Sequence, residues 1–199
     1  LEPGNKLSFN LNYEENFSFE KSCWWDSKKE FFELQKNKFD GTFQESTKLI
    51  EAELTKSVIN RSLCDVPNCT FLSGGIDSSL VTTLLATNTT KKISTFSVGF
   101  KDKYLDETKN AFEIARFLGT NHHQMYFSIS ELEENLVDLT KIYAEPFADS
   151  SQLPMILICK KASENGFKVA LSGDGADELF CGYNRHIFLP LFYKYRNLL

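Results

Sequence analysis

The chain has no apolar run of the roughly 20 residues that a bilayer-spanning helix requires, and no basic-then-apolar leader at its start. Its cysteines, Cys23, Cys64, Cys69, Cys159 and Cys181, are odd in number and contain no CxxC pair. Zinc ligation and a disulfide framework both fit poorly, and reduced thiols fit well. No block of lysine and arginine interrupts a formal net charge of −5, so a general attraction to nucleic acid or to an anionic membrane is not expected. Internal repeats and low-complexity stretches are also missing. Leu1-Glu2 opens the chain without an initiator methionine, and the expectation is a piece of a longer, cytoplasmic protein.

What is present suits one substantial core with a small appendage: 199 residues of ordinary globular composition. Residues 1–41 read as a lead-in. Leu7 to Tyr13 alternates like an edge strand, and then Phe17, Phe19, Trp24, Trp25, Phe31 and Phe32 crowd together without a clean period. The two tryptophans read as packing or a docking surface. From Thr42 to about Leu63 the pattern is helical, with Ile50, Leu54 and Val58 on one face, and Asp65-Val66-Pro67-Asn68 breaks it.

An alternation follows. Strands are expected at Thr70–Leu72, Lys92–Val98, His122–Phe127 and Lys168–Leu171. Helices are expected at Asp77–Asn88, Glu107–Leu118, Ser130–Tyr143 and Asp149–Asn165, with Ser130 and Glu133 as a capping box and Gly119 and Gly166 as stops. Strands separated by helices predict an α/β fold with a doubly wound parallel sheet. Ligands of such sheets sit beyond the carboxyl ends of the strands. The turns Ser73–Asp77, Gly99–Asp106 and Ser172–Asp177 should therefore share one crevice.

The first of these turns carries chemistry. In Phe71-Leu72-Ser73-Gly74-Gly75-Ile76-Asp77-Ser78-Ser79-Leu80, backbone N–H groups at a helix start converge on an anion. Gly74 and Gly75 permit the tight path, and Ser73, Ser78 and Ser79 offer hydroxyl donors to phosphate oxygens. Asp77 cannot usefully face a bare phosphate, but suits magnesium. The run is neither a Walker loop, lacking Gly-Lys-Ser/Thr, nor the G-x-G-x-x-G fingerprint. It resembles the pyrophosphate loop of the ATP pyrophosphatases. A second run, Leu171-Ser172-Gly173-Asp174-Gly175-Ala176-Asp177-Glu178-Leu179-Phe180, is another strand end and glycine turn, with three carboxylates within five residues. Such density points to metal or substrate binding, or to a solvated loop.

Together with Asp65-Val66-Pro67, Ser97-Val98-Gly99-Phe100, Asp106-Glu107, Leu118-Gly119-Thr120, His122-His123, Glu145 to Ser151, Pro154 and Gly182-Tyr183-Asn184-Arg185, these runs resemble the synthetase domain of the glutamine-dependent asparagine synthetases. The resemblance covers about Thr42 to Arg185 and puts the family domain at 42–199, incomplete at its C-terminal end. It implies an adenine nucleotide alpha hydrolase-like, ATP pyrophosphatase fold. ATP and magnesium would be used to adenylate the side-chain carboxylate of aspartate, releasing pyrophosphate, and ammonia from a glutaminase domain would then give asparagine and AMP. Leu72 and Val98 would contact the adenine through their backbones, and Ser172 and Gly173 would contact the nucleotide further along. Ser73, Gly74, Gly75, Asp77, Ser78 and Ser79 would hold the pyrophosphate, with Asp77 and Asp177 on magnesium. Asp174 falls where the family has an acid linked to forming the aspartyl-adenylate, and Glu178 would support that loop. A homodimer is among the assemblies the resemblance admits.

The chain also departs from that pattern. It shows neither the glutaminase cysteine nor the later helices with their lysine, so this piece is expected to bind ATP better than it completes turnover. Phe147-Ala148-Asp149-Ser150 replaces a Thr-Thr-x-Arg of some members, a variant found also in relatives that amidate sugar acids for surface polysaccharides. A non-catalytic nucleotide module would not need Asp77, Asp174 and Asp177 together, and a tRNA-modifying relative should show a basic face or a cysteine pair. His122, His123 and Cys181 read as structural, and Lys91, Lys92, Lys160 and Lys161 as solvated.

Overall fold

The computed structural model of the chain describes residues 1–11, 17–100, 108–128, 130, 139–145, 149 and 151–195. The chain folds as two units, Leu1–Ile50 and Glu51–Leu199.

In the first unit, β1 (Asn5–Leu11) pairs antiparallel with β2 (Phe17–Cys23), with Asn5 opposite Cys23 and Leu11 opposite Phe17. The sequence pattern predicts one strand there, so the second is a finding. So is α1 (Ser27–Lys36), whose N-cap Asp26 accepts from the Lys28 and Lys29 N–H groups. The crowd of aromatics hid both elements, because its members alternate only from Phe17 to Phe19 before the period changes. Trp24, Trp25, Phe31 and Phe32 are all exposed.

Helix α2 (Phe43–Ser62) starts on a reciprocal cap. The Thr42 N–H donates to Glu45 Oε2 at 2.7 Å, and the Glu45 N–H donates to Thr42 Oγ1 at 3.3 Å. Its Val58 belongs to the core of the second unit, beside Leu84, Leu85 and Leu171.

That second unit is built on a four-stranded, all-parallel sheet: β3 (Asn68–Phe71), β4 (Ser94–Phe100), β5 (Asn121–Phe127) and β6 (Val169–Leu171), in the order β5-β4-β3-β6. Helices α3 (Ile76–Thr87), α4 (Thr108–Leu118) and α6 (Gln152–Glu164) alternate with the strands. The short α5 (Leu139–Ile142) and α7 (Ala176–Phe180) and the exposed α8 (Asn184–Tyr195) complete the described helices. The expected doubly wound α/β fold is therefore present, with element ends displaced by one to three residues. Ser130 and Glu133 as a capping box lie partly outside the described residues, as do most of the expected helix from 130 to 143 and the turn from 101 to 106.

The strand period of two separates the sheet faces. Cys69, Phe71, Phe96, Val98 and Met125 pack with Met155, Ile158 and Ala162 of α6. The opposite face, under α3 and α4, is rich in hydroxyls. Thr70 bonds Thr82 of α3 through their hydroxyls at 3.0 Å, and Leu72 packs on Ala111 and Ala115 of α4. Those two alanines let α4 approach closely, and pairing the buried hydroxyls avoids the cost of leaving them unsatisfied.

Candidate functional site

Strand order reverses around β3: the chain runs outward to β4 and β5, then returns to add β6 on the other side. The loops leaving β3 and β6 therefore start side by side at neighbouring carboxyl ends, the place where such sheets bind ligands. A cleft of about 580 Å³ lies there.

One wall is the first turn. Gly74, at φ 90°, takes the left-handed path that a side chain would resist, and α3 begins directly after Gly75 without a side-chain cap. The Ser73 and Ser78 hydroxyls meet at 2.9 Å, and the backbone N–H of Ser73 donates to Ser78 Oγ at 3.2 Å. The Gly75 N–H donates to Ser73 Oγ at 3.2 Å. The turn thus gathers hydroxyls and N–H groups at the positive end of a 12-residue helix.

The second loop packs directly against it. A Cβ on Gly173 would stand 2.7 Å from the Ser78 nitrogen and 2.9 Å from the Asp77 carbonyl carbon, so only glycine lets the loops approach this closely. Ser172 Oγ then donates to Asp174 Oδ2 at 2.8 Å. Gly175, again at φ 90°, opens α7, which carries Asp177 and Glu178. The Tyr183 hydroxyl donates to Glu178 Oε1 at 2.6 Å. That bond holds the Glu178 carboxyl below the usual carboxylate range and pushes the Tyr183 phenol up.

The rest of the cleft comes from Ser97 and Val98 of β4 and from the start of α6, where Pro154, Met155 and Ile158 give an apolar wall facing Phe71 and Leu72. Asp149, also in the lining, accepts from the Ser151 hydroxyl at 2.7 Å and its N–H at 2.8 Å, which lowers its carboxyl. The cleft is therefore lined by both apolar and acidic side chains. Five carboxylates, Asp77, Asp149, Asp174, Asp177 and Glu178, line it, with no lysine or arginine among the described lining residues.

Of the expected site residues, Leu72, Ser73, Asp77, Ser78, Val98, Ser172, Gly173, Asp174, Asp177 and Glu178 line this cleft. Gly74, Gly75 and Ser79 do not: the glycines shape the turn, and the Ser79 hydroxyl turns back to the Gly75 carbonyl. The Leu72 N–H is committed to the Phe96 carbonyl at 2.8 Å, inside the sheet. Ser97, Met155 and Ile158 have no role in the sequence reading, although Ser97 stands in the Ser97–Phe100 run; the Pro154, Met155 and Ile158 spacing on one helix face is the signal that could mark the other two. His122 and His123 sit in β5, and neither lines the cleft. The Nδ1 of His122 meets Thr95 Oγ1 at 2.8 Å and its Nε2 meets Ser97 Oγ at 3.2 Å, while His123 stacks on Phe96 at 4.6 Å. Burial, and secondarily the neighbouring His123, lower the His122 pKa. Cys69 is buried and its thiol is pushed up to about 11 by burial, which suits packing rather than nucleophilic use.

The donor chemistry also bears on magnesium. Among the described residues no group of three or more His, Cys, Asp or Glu side chains is arranged to hold a metal by itself. Carboxylates open to a cleft without protein cations suit a magnesium ion that completes its shell on substrate phosphates, since this ion takes one or two carboxylates plus phosphate oxygens. The residues present fit that group.

Comparison with known proteins shows the family. The family model for asparagine synthase matches residues 49–196. A candidate glutamine-hydrolysing asparagine synthetase 2 of Methanocaldococcus jannaschii is 37% identical over 92% of this chain, and the match spans 35% of that protein. The glutamine-hydrolysing asparagine synthetase 1 of Bacillus subtilis is 40% identical over 60% of this chain, which is 19% of that protein. The chain thus spans about a third or less of the curated relatives it matches. Among solved structures, a glutamine-dependent NAD+ synthetase of Acinetobacter baumannii shares 22% identity at a TM-score of 0.46, over 67% of this chain and 27% of that one, a likeness too low to carry an argument.

Proposed function

The chain belongs to the asparagine synthase family, and from that premise we propose that its cleft carries out the synthetase half-reaction: ATP-dependent adenylation of a carboxylic acid, followed by amidation with ammonia. The observation that supports this most is the pairing of an N–H- and hydroxyl-rich turn with an acidic loop across one crevice, beside an apolar wall.

In this reading the adenine lies against Phe71, Val98, Met155 and Ile158, and the phosphates lie over Ser73 and Ser78. A carboxylate oxygen of the acid attacks the α-phosphorus, and the bond to the β-phosphate oxygen breaks, releasing pyrophosphate. Ammonia then adds to the acyl carbon, loses a proton and displaces AMP. Ammonia is already a competent nucleophile, so the protein's main work is alignment of two anions. Asp77 and Asp177 would hold magnesium, which when bound neutralises phosphate charge. Asp174, held by Ser172, faces the same space as the acids of α7 and is assigned to the adenylation step.

Aspartate is the proposed acid and asparagine the product, with the ammonia source a glutaminase domain. Pyrophosphate release from ATP, followed with aspartate, glutamate and a panel of uronic acids, tests this. We expect release to require one acid and to rise with aspartate. Equal release with and without every acid sinks the ligase reading; release with a uronic acid alone moves the substrate to the sugar acids.

A further inference from the structure

Gly182 and Tyr183 follow the acidic loop, and the reaction above uses neither. We propose that the return segment Cys181–Tyr183 is a positioning device, with Gly182 as the seat of the Asp177 carboxylate and Tyr183 as the clamp on Glu178. The proposal rests on the nucleotide reading of the cleft.

Helix α7 has only five residues, too few to hold its own geometry without outside contacts. At its end Cys181 turns left-handed at φ 59°, and the Gly182 N–H donates to the Asp177 carbonyl at 3.0 Å. That closure lays Gly182 against the Asp177 side chain. A Cβ at position 182 would fall 1.8 Å from Asp177 Oδ1 and 2.9 Å from its Cγ. The carboxylate occupies the space a methyl group would need.

Gly182 is not among the glycines with positive φ, so its backbone makes no demand for glycine. The demand comes from the Asp177 carboxylate. Tyr183 then holds the next acid through its 2.6 Å bond to Glu178. Its ring is held in turn by the Arg185 guanidinium 4.1 Å from the centroid and by His186 edge-on at 5.6 Å. Asp177, Glu178 and Tyr183 line the cleft while Gly182 does not, so Gly182 acts through Asp177. Neighbours of this kind orient a ligand group and set its affinity for the ion.

The crowded atom is the far end of a side chain, so alanine at 182 should swing the carboxylate away and leave the fold intact. The test compares the wild-type chain with Gly182→Ala and Tyr183→Phe. It measures Mn2+ binding in the presence of ATP by electron paramagnetic resonance, and unfolding without ligand. We expect Gly182→Ala to keep its unfolding midpoint and to lose roughly 10- to 100-fold in Mn2+ affinity, with a smaller loss in Tyr183→Phe. A Gly182→Ala chain that binds Mn2+ as tightly as wild type overturns the positioning role while the nucleotide reading stands. Unchanged Mn2+ affinity alongside a lowered midpoint overturns it too, because glycine would then serve the fold alone. A wild-type chain that binds neither ATP nor Mn2+ overturns the nucleotide reading and this proposal with it.

Discussion

Ser78 carries three demands at once. Its hydroxyl meets Ser73, its carbonyl accepts from Thr82 at 2.8 Å, and its nitrogen leaves room for no side chain on Gly173. Asp77, its neighbour, lines the cleft, and Asp77→Asn should lower acid-dependent pyrophosphate release on the order of 100-fold. Unfolding of that variant should be unchanged, which a denaturant titration checks. His122 differs, because burial lowers its pKa from the ordinary value of 6.5. As pH falls through that value the unfolded chain takes up the proton first, so stability is full above it and declines below it, until the folded-state pKa is passed. Melting at pH 7.5 and 5.5 should show this drop in the wild type and a shallower one in His122→Gln. The placement of these residues was legible wherever the pattern is local: a serine, two glycines and an acid at a strand end put a tight turn at the start of a helix. The seat at Gly182 was not legible, since it depends on where Asp177 points.

At the scale of elements, α3 is held to the sheet by a polar contact as well as an apolar one. Thr70 and Thr82 are both fully buried, and each is the hydroxyl partner of the other. Thr82→Val keeps the shape but strands the Thr70 hydroxyl, and should cost about 1–3 kcal/mol. A lower urea midpoint at unchanged slope would register it, and Thr70→Val combined with Thr82→Val should cost less than the sum of the two. The four strands of the second unit and its helices α3, α4 and α6 were readable from period and glycine stops, because each keeps one pattern; α7 and α8 were not among the expected elements. The first unit was read less well. Phe17 to Phe32 passes from strand to helix with aromatics in both, and a mixed period carries no clear signal.

For the whole molecule, charge should decide what enters the cleft. Five acids and no cation among the described lining residues should repel a bare triphosphate and accept one carrying magnesium. A saturating magnesium–ATP complex at about 100 times its dissociation constant should stabilise the folded chain by roughly 2.7 kcal/mol. Thermal unfolding should therefore shift upward with ATP and magnesium and return to the ligand-free midpoint on adding EDTA; an equal shift with ATP and EDTA would contradict the assigned role of Asp77 and Asp177. The sequence by itself determined the alternating elements, the two loops and the absence of a bilayer-length apolar run, because propensity, periodicity and glycine turns act over a few residues. Only the tertiary structure decided that β6 lies beside β3, that Gly173 brings the acidic loop onto the first turn of α3, and that Met155 and Ile158 wall the cleft. Those placements join residues about 80 to 100 positions apart. They depend on strand order and on the packing of two loops with no side chain between them.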